Sequence, residues 1–152
     1  MFKHESYDVF YILTYRNPLS IAKSLEFRDG FESTKSYLLW LLHVIPSFIE
    51  TKGANRILLN FDDLLNDPVS VLRRISNKFK LEVNEHDLNN YVFDFLENEL
   101  RHYQYSIDDL RNESDCPSLV LQVYTLLEKV NSVDSDLDSF ENLVRKNPYS
   151  NT

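Results

Sequence analysis

The residues DVFYILTYRNPLSIAKS, 8–24, decide how the rest of the chain is read. Val9, Phe10, Tyr11, Ile12, Leu13, Thr14 and Tyr15 make a near-continuous β-branched and aromatic run, the pattern of a strand covered on both faces in an α/β protein. Arg16 stands at its carboxyl end. Asn17 is a preferred N-cap, and Pro18 suits the first helical position, where its missing N–H costs nothing, so the chain is predicted to turn directly into a helix. Ligands of open α/β sheets bind beside that edge. The Arg16 guanidinium is a planar, always-charged fork of donors suited to phosphate or carboxylate. Ser24 lies about two turns into the helix, on the stripe of Ser20 and away from Ile21, Ala22 and Leu25, and adds a hydroxyl. An anion held by both groups would lie along the flank of the helix rather than at its tip.

Outward from this stretch, Asp29 and Gly30 break the pattern, and 32–50 reads as a helix apolar nearly all round, which belongs in a core. Pro46 should kink or interrupt it, His43 reads as a hydrogen-bonded core histidine, and Gly53 suits a left-handed cap. Residues 56–61 form a short strand placed beside the first in a parallel sheet. Asp62 is read as the cap of the turn DLLN rather than as a metal ligand or general base. Asp67 and Pro68 open a helix to Lys80 with the stripe Leu72, Ile75 and Phe79, its basic residues Arg73, Arg74, Lys78 and Lys80 matching the negative end of the dipole. Residues 86–101 show the clearest amphipathic spacing, followed by Arg101 and His102 as a cationic helix end. Residues 103–116 read as a loop with one short turn, Pro117 starts a helix with Leu119, Val120, Val123, Leu126, Leu127 and Val130 on one stripe, and a last helix carries Leu137, Phe140 and Val144.

Composition narrows the class. The 152 residues make one domain, and 43% hydrophobic content with ten Phe and nine Tyr indicates a folded chain. Two Gly and five Pro favour long helices over tight turns. The formal charge of −8 disfavours nucleic acid as a partner. The charge is uneven: 1–80 hold 11 basic and 9 acidic side chains, 81–152 hold 5 and 15. The candidate anion site thus lies in the basic half. The lone Cys116 gives neither an intrachain disulfide nor a zinc cluster, and no His pair has metal spacing, so no metal is expected. The longest apolar stretch, 37–49, is too short to span a bilayer, and a soluble, cytoplasmic protein without a membrane partner is the expectation.

Strand, R-N-P, then Ser eight residues after the Arg resembles the 3′-phosphate-binding segment of the PAPS-dependent sulfotransferases. Trp40 in an apolar helix, RILLNFDDLLNDP at 56–68 and FLENELRH at 95–102 resemble later stretches of bacterial-type members. The resemblance covers roughly 8–102. It implies a P-loop NTPase-like three-layer α/β/α fold, helix-rich with a partial parallel sheet, and transfer of a sulfuryl group from PAPS to a hydroxyl or amine acceptor. Arg16 and Ser24 would then hold the 3′-phosphate of the donor. The sequence departs from the family in having no Gly-containing loop for the 5′-phosphosulfate, since its glycines are Gly30 and Gly53 only, and the family's catalytic base also lies upstream of R-N-P. The chain therefore looks like the C-terminal part of a sulfotransferase, a single partial domain with a strand-helix core at 8–80 and C-terminal helices at 81–146, and no catalytic residue is assigned. The alternatives are a non-catalytic helical interaction module or inactive remnant, and a kinase-like binder needing ATP and Mg²⁺.

Overall fold

The run after Asp8 does form a strand, and the Asn-Pro pair does start a helix. The computed structural model describes residues 8–94 and 103–133. They form β1 (Phe10–Tyr15), α1 (Pro18–Asp29), α2 (Ser33–Glu50), β2 (Asn55–Asn60), α3 (Phe61–Asn66), α4 (Pro68–Phe79), α5 (Glu85–Asp94), α6 (Ile107–Asn112) and α7 (Ser118–Val133). The architecture is helix-rich α/β, with β1 and β2 paired in parallel from Phe10 opposite Asn55 to Tyr15 opposite Asn60. Helices α1 and α2 supply the long crossover that a parallel pair requires.

Alternation along the strands feeds two clusters. Leu13, Tyr15 and Leu58 enter the larger one, with Leu19 and Ala22 of α1, Tyr37, Trp40, Val44 and Phe48 of α2, Leu110 of α6, and Val120, Val123, Tyr124, Leu127 and Val130 of α7. Ile57 and Leu59 enter a smaller one with Val71 and Phe79 of α4, and the Phe10 ring meets Phe79 at 4.7 Å between centroids. Helices therefore pack against both sides of the ribbon.

Several expectations are corrected. β1 is not covered on both faces: Val9 is 61% exposed, Phe10 38%, Tyr11 40% and Ile12 48%. Among the described residues β2 is its only strand neighbour. Helix α2 is one-sided rather than buried all round, with Ser36, Tyr37, Trp40, Val44 and Phe48 inward, and Leu38, Leu42 and Ile49 exposed. His43 is on the exposed side and is not a core histidine, and the helix runs on through Pro46. The cap after β2 is Asn60, whose Oδ1 accepts from the Asp62 N–H at 2.8 Å; Asp62 is the second residue of α3, in its first turn. Gly53 (φ +74°) is left-handed as expected, and Lys80 (φ 54°) closes α4 in the same region without being glycine. Arg56 is only 5% exposed, and its Nη1 donates to the Phe48 carbonyl (2.6 Å) and Thr51 Oγ1 (3.0 Å), serving the end of α2. The expected features at 95–102 and 137–144 lie outside the described residues. No helix among the described residues is long and apolar enough to cross a membrane.

Candidate functional site

Parallel strands in step bring their carboxyl ends side by side, so the residue after β1 meets the turn after β2. Arg16 Nε donates to Asp62 Oδ1 at 2.9 Å and Nη2 to the Tyr103 carbonyl at 2.9 Å. The guanidinium carbon stands 5.3 Å from the centre of the Phe61 ring, within cation–π range. Trp40 Nε1 donates to the Arg16 carbonyl at 3.0 Å, which fixes the backbone at the strand end. The side chains of Arg16 and Asp62 are 16% and 17% exposed. Burial pushes the Asp62 carboxyl above its usual range; Arg16 pulls it back and the neighbouring Asp63 adds to the rise, but burial prevails.

Asn17 does more than cap. Its Oδ1 accepts from the Leu19 N–H at 2.9 Å, while Nδ2 donates to the carbonyls of Tyr105 (2.7 Å) and Ser106 (3.1 Å). Ser20 Oγ accepts from the Tyr105 N–H at 3.3 Å. Arg16, Asn17 and Ser20 together tie the segment 103–106 to the start of α1, serving the Tyr103 and Tyr105 backbone groups and adding a second donor to the Ser106 carbonyl, which also accepts the Leu110 N–H of α6.

A second network borders the first. Glu128 Oε1, from α7, accepts from Tyr15 Oη (2.8 Å) and Asn60 Nδ2 (2.9 Å), the last residues of the two strands. The hydroxyls of Tyr15 and Tyr124 are pushed well above the ordinary phenol range, first by burial and then by the charge of Glu128, so both keep their protons. Asn131 accepts from Arg74 Nη2 (2.8 Å) and donates to Asp63 (3.0 Å), joining α4, α7 and α3.

Of the two residues singled out in the sequence, Arg16 is at the sheet edge and turned toward α3. Ser24 is half-buried on α1, and among the described residues its hydroxyl makes no hydrogen bond, to Arg16 or to any other group. The structure thus joins Arg16 to Asp62, not to Ser24. Sequence reading missed the second role of Asn17, the part of Ser20, and Glu128. The polar stripe at Ser20 was visible, whereas Glu128 meets Tyr15 across 113 positions, which no local pattern signals. Among the described residues no group of three or more His, Cys, Asp or Glu is arranged to hold a metal ion. The arrangement sets one always-charged donor fork at the edge of a parallel sheet, where Asp62 and the Tyr103 carbonyl hold it.

Comparison with protein-family models, curated proteins and solved structures found no match to this chain.

Proposed function

We propose that the chain is sulfotransferase-like and that its R-N-P junction binds the 3′-phosphate of PAPS, the donor from which a sulfuryl group passes to a hydroxyl or amine acceptor. The observation that carries this reading is Arg16 at the carboxyl end of a parallel strand, followed at once by an Asn-capped, Pro-started helix. Helices against both sides of the sheet support the finer fold reading, a P-loop-like three-layer α/β/α unit. Arg16 has a positioning role: it fixes the donor by charge and bidentate geometry. Ser24 adds its hydroxyl once the phosphate spans the two. Asp62 is the group that must yield, and burial already makes its charged form less favourable. The sequence holds no Gly-rich loop for the phosphosulfate, so turnover by these 152 residues alone is weak or nil. A cytoplasmic setting fits the lone free cysteine.

The second reading, a non-catalytic interaction module, is favoured by one specific observation: the Arg16 guanidinium already serves Asp62 and the Tyr103 carbonyl. Isothermal titration with adenosine 3′,5′-bisphosphate separates the two. The donor-site reading expects saturable binding that weakens by about 10- to 100-fold in Arg16→Ala, as for a charge-assisted contact, and to a smaller extent in Ser24→Ala. No binding by the folded wild-type chain, or equal binding by Arg16→Ala, sinks it.

A further inference from the structure

We infer that the anion site at Arg16 is proton-linked: an anionic ligand that takes the Arg16 guanidinium from Asp62 binds together with one proton, which the Asp62 carboxyl holds for as long as the ligand stays. The inference rests on the donor-site reading and names how that same site is controlled.

The ion pair defines the exchange. Arg16 Nε donates to Asp62 Oδ1 at 2.9 Å, while Nη2 donates to the Tyr103 carbonyl at 2.9 Å and the guanidinium lies over the Phe61 ring. A phosphate oxygen that replaces Oδ1 at Nε leaves the contacts with Tyr103 and Phe61 standing. The Asp62 carboxylate thus occupies, in the free chain, the place of a ligand oxygen.

What the displaced carboxylate meets decides its charge. Among the described residues Arg16 Nε is the one group that donates to it, and with the Asp62 side chain 17% exposed, little water takes over that bond. The ionisable groups about these strand ends are Asp63 on the same helix, Tyr15 at the end of β1, and Tyr124 and Glu128 of α7, with Glu128 accepting from Tyr15 and Asn60. None of them is a cation. Arg74, on the adjoining α4, donates to the Leu58 carbonyl and to Asn131 rather than to Asp62. Burial holds the Asp62 carboxyl above its usual range even with Arg16 in place, and Arg16 is the group that pulls it back. Once the guanidinium turns to a ligand, that pull is lost and the negative charge of the ligand is added. A carboxylate left unpaired in such surroundings takes up a proton. The proton comes from solvent and Arg16 keeps its own, so ligand and proton enter together. Linkage gives the sign: affinity rises as pH falls, by up to about tenfold per pH unit for one proton, down to the range where Asp62 is already protonated in the free chain.

Isothermal titration of the 152-residue chain with adenosine 3′,5′-bisphosphate, repeated at one pH in two buffers of unlike ionisation enthalpy, counts the protons. The titrations belong between about pH 7 and pH 8, above the second phosphate pKa of about 6, where the ligand itself is largely ionised. The expected result is an uptake larger by about one proton per ligand in the wild type than in Asp62→Asn, with wild-type affinity falling as pH rises and that of the variant tighter and nearly level. Asp63→Asn removes a neighbouring carboxylate that Asn131 rather than Arg16 holds, and should keep the uptake. Both variants are checked for the wild-type far-ultraviolet circular dichroism, and the wild-type proton count decides by itself should either fail to fold. Wild-type binding with no proton taken up, equal uptake by wild type and Asp62→Asn, or loss of the uptake in Asp63→Asn overturns the inference and leaves the donor site standing. Absence of binding by wild type and Asp62→Asn alike removes the donor site, and this inference with it.

Discussion

Asn17 shows how much a single fully buried side chain can carry. One amide oxygen caps α1, and the amide nitrogen serves two carbonyls of the segment 103–106. Asn17→Ala removes a cap and takes away the side-chain donor to the Tyr105 carbonyl, while the Ser106 carbonyl keeps the Leu110 N–H, so a loss of about 2–4 kcal/mol is expected, read by urea denaturation as a lower midpoint at unchanged slope. Asp62 gives a pH signature. Its folded-state affinity for a proton exceeds that in the unfolded chain, so the folded form binds the extra proton between the ordinary carboxylate range and the raised one. Stability attributable to this group therefore falls as pH rises through that window. The stability difference between wild type and Asp62→Asn should accordingly move against the wild type over the same interval; urea titrations at several pH values that show it moving in favour would contradict the burial argument.

At the scale of elements, the punctuation of the chain was legible. Asp67 caps α4 through the Ser70 N–H at 3.1 Å, Pro68 opens it, and Gly30 and Gly53 take left-handed conformations. These signals are local, so no tertiary information was needed. What was not legible was the far end of α4, where Lys80 takes φ 54° in a position that favours glycine. Lys80→Gly relieves the Cβ crowding and is expected to stabilise by about 0.5–1 kcal/mol, net of the extra entropy of glycine in the unfolded chain; calorimetry showing a lower melting temperature would refute it. The cap of α3 is Asn60, two residues before the Asp62 that the sequence suggested. The strand settled it by ending one residue earlier than the apolar run suggested.

For the whole molecule, a two-stranded parallel sheet is packed between helices on both of its sides. The sequence by itself determined the strand-to-helix junction at 8–24, the parallel relation of two strands joined by helices, and Arg16 at their carboxyl edge, because periodicity, capping and proline chemistry act over a few residues. Only the tertiary structure decided that Arg16 meets Asp62, that Asn17 and Ser20 hold the segment 103–106, and that Glu128 links both strand ends. Those outcomes depend on groups dozens of positions apart meeting in space.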